Sequence, residues 1–214
     1  MFRSWMFALC IVALPSLASF SAKADTALFA GGCFWCVESD LEAVPGVRDV
    51  VSGYAGGKSQ NPTYKTYEKG GHREVVKVDF DPAKVSYRKL VDTFLRTIDV
   101  TDARGQFCDR GFAYSSAIYP LTSAQAKAAK QAVSDAEKVL GHKVVTPVEG
   151  AVLFWPAEDY HQGYYKSSSR TLTRFGYVTR ARAYKGYRKA CGRDEQVRKV
   201  WGSEAYKGVP MHGS

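Results

Sequence analysis

The order in which two periodicities alternate between residues 26 and 119 constrains this 214-residue chain more than any other feature. Thr26 to Ala30 is a short apolar run stopped by Gly31-Gly32, the pattern of a buried strand. Cys33 to Ala43 reads as a helix ended by Pro45-Gly46, and Val47 to Tyr54 alternates well enough for a strand. A loop rich in Gly, Asn and Pro spans Ala55 to Gly71. Glu74 to Phe80 then alternates strictly, with Val76, Val78 and Phe80 on one side and Val75 and Lys77 on the other. Ser86 is placed to cap a helix in which Leu90, Val91, Phe94, Leu95 and Ile98 recur at helical spacing. An irregular stretch, Asp99 to Ala113, precedes a strand at Ser115 to Tyr119. Thr122 or Ser123 then opens an Ala-rich helix that Gly141 terminates. Val144 to Val148 and Ala151 to Phe154 are further strand candidates. The succession strand, helix, strand, strand, helix, strand predicts an α+β fold, a two-layer ferredoxin-like α/β sandwich with long loops. From Gly186 onward the apolar rhythm is lost, so residues 186–214 are expected to form an extended C-terminal tail.

The first 24 residues follow a different logic. Arg3 supplies a positive start, Trp5 to Leu14 are mostly apolar, and Ala22-Lys23-Ala24 is an A-x-A cleavage pattern. The apolar run is shorter than the ~20 residues of a membrane span. A removable signal peptide over residues 1–24 is therefore expected, against the competing reading of an uncleaved anchor. Cys10 lies inside the apolar run rather than after it, which argues against a lipoprotein signal. Cleavage after Ala24 leaves 190 of the 214 residues and no membrane anchor, and the implied location is a bacterial periplasm. Loss of Arg3 and Lys23 lowers the formal charge by two, from +9 to +7. The basic residues are scattered and accompany no nucleic-acid motif, so they read as a solvated surface.

Four cysteines then remain: Cys33, Cys36, Cys108 and Cys191. Cys33 lies where a strand, Gly31-Gly32 and a helix meet. A cysteine at a helix N-terminus faces free backbone N–H groups and the positive end of the helix dipole, which favour thiolate and predict a lowered pKa. The paired glycines are expected to let a substrate approach the backbone. A small buried cysteine closing a strand is the plainer alternative. Cys33-Phe34-Trp35-Cys36 also matches C-x-x-C, the pattern of thiol–disulfide oxidoreductases and of half a zinc site. Cys108 and Cys191 stand alone and no H-x-x-x-H follows, so no metal is expected.

Around Cys33 the sequence resembles a known family. Gly32-Cys33-Phe34-Trp35 is similar to the G-C-F-W signature of the methionine-S-sulfoxide reductases, the A class of peptide methionine sulfoxide reductases. Gly53-Tyr54-Ala55-Gly56-Gly57 with Asn61-Pro62-Thr63-Tyr64 matches the family's G-Y-A-G-G…N-P-T-Y segment, and Gly71-His72-Arg73-Glu74-Val75-Val76 its G-H-x-E-V-V. Asp109-Arg110-Gly111, Tyr114 and Ser116-Ala117-Ile118-Tyr119 match D-x-G-x-x-Y-x-S-A-I-Y. Ala157-Glu158-Asp159-Tyr160-His161-Gln162 matches A-E-D-Y-H-Q, and the cover runs over residues 26 to 165.

The resemblance implies that residues 25–185 form a catalytic domain reducing methionine-S-sulfoxide, protein-bound or free, to methionine. Cys33 is the implied nucleophile and Glu74 the acid that protonates the leaving oxygen, a task that requires an apolar pocket to raise its pKa. Tyr64 and Tyr114 match tyrosines that hold the sulfoxide oxygen, Asp109 completes this polar side, and Phe34 and Trp35 hold the substrate methyl. His72 and His161 read as structural. A sulfenic acid on Cys33 is then resolved by a second thiol. Here the chain departs from the common pattern: Cys36 stands where Gly is frequent, Cys108 precedes Asp109, and H-D-P-T becomes Ile98-Asp99-Val100-Thr101. Cys191, in the tail, is expected to attack first and Cys36 to accept the disulfide second. No bound cofactor is implied; an external thioredoxin-like dithiol is the expected reductant. A thiol–disulfide oxidoreductase without a sulfoxide substrate explains C-x-x-C but not Glu74, Tyr64 and Tyr114. A binding protein with two structural disulfides explains less.

Overall fold

A computed structural model describes residue 1 and residues 25–210. The expected signal peptide, residues 1–24, lies outside the described residues apart from Met1. Strand β1 (Asp25–Ala30) leads into helix α1 (Phe34–Glu42), followed by β2 (Val47–Ala55), β3 (Arg73–Phe80) and α2 (Tyr87–Leu95). Two short strands, β4 (Gly105–Gln106) and β5 (Asp109–Arg110), form a small ladder before β6 (Ala117–Tyr119) and α3 (Ser123–Leu140). Strand β7 (Phe154–Pro156), the hairpin β8 (Arg170–Thr173) and β9 (Gly176–Thr179), and helices α4 (Arg180–Ala190) and α5 (Arg193–Trp201) complete the chain.

The main sheet has the order β6-β1-β3-β2-β7, antiparallel throughout. Its first four strands, joined through α1 and α2, make the expected ferredoxin-like arrangement. Side chains alternate across the sheet, so Phe29, Val76, Val78 and Phe80 enter the main core beneath the helices. Leu28, Ala30, Val75, Ala117 and Tyr119 form a second cluster on the opposite face. Ser86 caps α2 by accepting from Lys89 N, Thr122 caps α3 by accepting from Gln125 N, and Gly141 ends α3 at φ 70°. Among the described residues, no helix is long and apolar enough to cross a membrane.

Four expectations differ. The strand expected over Ala151 to Phe154 forms instead over Phe154–Pro156. Helix α2 stops at Leu95, and Ile98 reaches the core from the turn that follows. Residues 144–148 make only a single parallel bridge, Val148 to Ile118, because Pro147 has no N–H to extend a ladder. The described part of the expected tail, residues 186–210, is not extended: through residue 204 it is largely the helices α4 and α5 and a closing 3-10 turn. Charge rather than apolar rhythm docks this segment. Arg193, 1% exposed, donates to the carbonyls of Gly31 at 3.2 Å and Thr97 at 3.1 Å, and its Nε lies 3.7 Å from Asp40 Oδ2. Arg188 pairs with Asp40 at 2.9 Å and with Asp194 at 2.7 Å. Trp201 Nε1 donates to Ile98 O at 3.0 Å, and Val197 and Trp201 are the apolar anchors.

Candidate active site

Cys33 is the N-cap of α1, at φ −48° and ψ 116°, outside the helix proper. The glycines before it serve packing rather than substrate approach. A Cβ on Gly31 would lie 2.8 Å from Phe94, and one on Gly32, at φ +82°, 2.6 Å from Gln106 Cβ. Glu74 shares the parity of Val76, Val78 and Phe80 on β3, so the period of two that builds the core also turns its carboxyl toward the N-terminus of α1. There Glu74 Oε2 accepts the backbone N–H of Phe34 at 2.8 Å. The free amide expected to favour a Cys33 thiolate is thus spent on Glu74.

A helical turn supplies the tyrosines of the long loop: Tyr67 N donates to Thr63 O at 2.9 Å, which places Tyr64 and Tyr67 on one side, their rings 5.8 Å apart. Glu158 anchors this turn by accepting from Tyr64 N at 3.0 Å and Tyr54 Oη at 2.9 Å. Gln162 fastens to both backbone groups of Ser52. These bonds are what the A-E-D-Y-H-Q segment contributes. Tyr67, which the sequence reading passed over, is 2% exposed, and its hydroxyl lies 3.1 Å from Glu74 Oε1 and 3.1 Å from Tyr114 Oη. Its spacing of three from Tyr64 was the available signal. His161 is buried among Phe34, Trp35 and Tyr64, with ring centroids 5.0, 5.6 and 4.5 Å away, and neither ring nitrogen has a hydrogen-bond partner. Burial pushes its pKa down to about 4, so it stays neutral. His72 holds the loop at Gly57 and Ser59.

A cavity of about 370 Å³ brings together Cys33, Phe34, Trp35, Glu74, Tyr64, Tyr114 and Asp109, with Cys36, Cys108 and Cys191 also on its wall. Every residue singled out from the sequence for chemistry lines this one space. Phe34 is buried, and Trp35 is half-buried and stacked on Tyr164 with centroids 3.9 Å apart. These rings form its apolar side.

The thiols are arranged differently from expectation. Cys33 and Cys36 are free and hydrogen-bonded to each other, whereas Cys191 is joined to Cys108 in a disulfide. The thiol poised at Cys33 is that of Cys36, not Cys191. Because Cys33 stands outside the helix proper, the pair is not held in rigid helical geometry. The Cys33 thiol is pushed well up by its hydrogen bond to Cys36, by burial, and by the negative charges of Cys36, Glu74 and Asp109. Cys36 is lowered to about 7 by the hydrogen bond from Cys33 and, against its burial, by the guanidinium groups of Arg193 and Arg188. The first proton therefore leaves the pair near neutrality, and the remaining one is shared between the two sulfurs. Asp109 Oδ1 lies 3.7 Å from Cys108 Sγ and Oδ2 lies 3.9 Å from Cys191 Sγ. These three residues bring potential metal ligands within 4.8 Å of one another, but two of the ligand atoms are the disulfide sulfurs.

Burial raises Glu74 to about 8, offset in part by the bonds from Phe34 N–H and the Tyr67 hydroxyl. It is a carboxylic acid at neutral pH, able to give up a proton. Burial likewise raises Tyr64, Tyr67 and Tyr114, which stay hydroxyl donors, and raises Asp109 against the pull of Arg193. A soft nucleophile, a neutral acid and aromatic walls around one cavity suit attack on a small sulfur centre whose oxygen must be protonated.

Comparison with known proteins agrees with this chemistry. The sequence model of the family described as peptide methionine sulfoxide reductase matches residues 25–199. Peptide methionine sulfoxide reductase MsrA 2 of Rhizobium meliloti is 56% identical over 200 residues, covering 94% of this chain and 93% of that protein. A Caulobacter vibrioides relative of the same name is 41% identical over 198 residues, with 91% and 94% covered. Among solved structures, methionine sulfoxide reductase A of Corynebacterium diphtheriae superposes with a TM-score of 0.62 at 29% identity, over 69% of this chain and 76% of that one. Reduced Mxr1 of Saccharomyces cerevisiae gives 0.64 at 28% identity, over 74% and 93%. With its sequence matched from the first strand into α5 and its fold shared, the chain belongs to the peptide methionine sulfoxide reductase family.

Proposed function

We propose that the chain reduces the S epimer of methionine sulfoxide in oxidised proteins, with Cys33 as nucleophile and Glu74 as acid. The observation that carries this reading is one cavity in which a free Cys33 and a protonated Glu74 meet at the first turn of α1. Cys33 sulfur attacks the sulfoxide sulfur; its proton passes to Cys36 across their hydrogen bond. The oxygen takes a proton from Glu74 while Tyr64 and Tyr114 hold it, and Phe34 and Trp35 enclose the methyl. Methionine leaves and Cys33 carries the hydroxyl as a sulfenic acid. Cys36 sulfur then attacks Cys33 sulfur, forming their disulfide, and the hydroxyl departs with a proton as water. When Cys108 and Cys191 are dithiol, exchange moves the oxidation to them and restores both thiols of the first pair. The arrangement seen, with Cys33 and Cys36 free and Cys108–Cys191 bonded, corresponds to that stage. A thioredoxin-like dithiol then reduces the second disulfide by attack on Cys108, the exposed member. No bound cofactor takes part in this sequence.

Incubation of the reduced enzyme with a peptide holding either epimer tests the reading. We expect the S epimer to be consumed, the R epimer to remain and insulin disulfides to stay intact. Insulin reduction without sulfoxide reduction would favour a general thiol–disulfide oxidoreductase. Export to a periplasm is part of the same proposal, supported by the A-x-A pattern and by a family match that starts at residue 25. N-terminal sequencing of the protein from the producing cell should then begin at Asp25.

A further inference from the structure

Tyr67 is absent from the matched motifs and does not line the cavity, yet its hydroxyl lies between two groups that do. We propose that Tyr67 is a positioning residue that hydrogen-bonds Glu74 to Tyr114 and thereby fixes the direction in which Tyr114 donates into the cavity. The inference rests on the sulfoxide reading above.

Glu74 Oε2 is engaged by the Phe34 N–H at 2.8 Å, so the oxygen facing Tyr67 is Oε1, at 3.1 Å. When Glu74 is protonated there, its O–H donates to the Tyr67 oxygen. Tyr67 has one proton of its own, and it then serves Tyr114 Oη, also at 3.1 Å. Tyr114, having accepted, keeps its own proton for an acceptor in the cavity, which is where the sulfoxide oxygen must sit. When sulfoxide is bound, the Glu74 O–H turns from Tyr67 into the cavity, which Glu74 lines, and gives its proton to the sulfoxide oxygen; the Tyr67 proton then swings to the new carboxylate and the chain reverses. The tyrosines remain neutral in both states because burial holds their protons firmly. The exposed Glu68 Oε1 competes for the Tyr67 proton from 3.3 Å, the longest of the three contacts. The ring itself is locked by stacking on Tyr54, with centroids 4.8 Å apart, which holds the hydroxyl in place without help from substrate.

Tyr67→Phe removes the hydroxyl and keeps the stacked ring, so the fold survives; urea unfolding provides the check. The test is single-turnover methionine formation by reduced enzyme from a methionine-S-sulfoxide peptide, followed between pH 5 and 9. Tyr67→Phe should be about tenfold slower than wild type, the scale of one buried hydrogen bond. The double variant Tyr67→Phe/Tyr114→Phe should be no slower than the slower single variant, because both act through one chain. The alkaline limb in Tyr67→Phe should move to higher pH. The hydroxyl no longer favours the Glu74 carboxylate, while the other groups facing Glu74, namely Asp109, Cys33, Cys36, Tyr64 and Tyr114, are unchanged. Glu68→Gln should match wild type. Wild-type rate in Tyr67→Phe, losses that multiply in the double variant, an unmoved alkaline limb, or Glu68→Gln reproducing the defect would each overturn the proposal. Failure of wild type itself to form methionine would instead overturn the activity, leaving the two failures distinct.

Discussion

Glu74 accepts the backbone N–H of Phe34, the residue that follows Cys33, at 2.8 Å. An acid on a central strand is thereby locked one residue from a thiol on a different element. The contact keeps Glu74 oriented while burial keeps it protonated, and it ties nucleophile and acid to one helix terminus.

Glu74→Gln keeps the shape of this contact and removes the proton. Single-turnover sulfoxide reduction should fall roughly a hundredfold or more, the usual scale of general-acid catalysis. Wild type should show a rate maximum between about 7, where the thiol pair loses its first proton, and about 8, where Glu74 ionises. The alkaline limb should vanish in the variant. An unchanged rate from pH 5 to 8 would remove Glu74 from the mechanism.

Cys33→Ser should abolish methionine formation and leave the fold intact, since a hydroxyl is a far weaker nucleophile near neutrality. Single-turnover analysis of the released methionine measures this directly.

Cys36→Ser and Cys191→Ser separate the two thiol stages. Cys36→Ser should form one methionine per enzyme and stop with a sulfenic acid on Cys33, detectable with a sulfenic-acid-specific reagent. Its Cys33 pKa should fall, because the hydrogen bond and charge of Cys36 both raise it. Cys191→Ser should instead accumulate a Cys33–Cys36 disulfide and turn over poorly with a thioredoxin-like donor. Mass mapping after one equivalent of substrate reads both. A Cys33–Cys191 disulfide in the Cys36→Ser variant would restore Cys191 as the first resolver.

Arg193→Met leaves Asp40 with one fewer cation and abandons two buried carbonyls. A loss of about 3 kcal/mol is expected from breaking a buried pair, read as a lowered urea midpoint with release of α5. Wild-type stability in this variant would mean that the apolar anchors alone dock the segment.

Glu38 and Glu74 predict how stability depends on pH. Burial raises their folded-state values to about 7 and about 8, against 4.5 when unfolded. The folded protein thus binds more protons than the unfolded chain, and stability should decline as pH climbs from about 5 to about 8. Urea midpoints across that range test it, and Glu74→Gln should show a shallower decline.

Local pattern determined much of this protein. The strict alternation of Glu74 to Phe80 set both a strand and the face on which Glu74 lies, because a period of two leaves no freedom. Ser86, Thr122 and Gly141 marked helix ends through hydrogen bonds made within a few residues. The quoted motifs then named Cys33, Glu74, Tyr64, Tyr114 and Asp109, and the fold gathers all five around one cavity.

Only the tertiary structure decided the rest. Helices α4 and α5 have no strong apolar period because Arg188 and Arg193 dock them on Asp40, a partner about 150 residues away in sequence. Pairing of Cys108 with Cys191 spans 83 residues and depends on where that docking places the second cysteine. The charge state of Cys33 depends on Cys36, Glu74, Asp109 and burial together, so the helix terminus read alone pointed the wrong way. The spacing of Tyr67 from Tyr64 signals only that both lie on one side of a turn; the place of its hydroxyl between Glu74 and Tyr114 is a relation between distant segments that the fold sets.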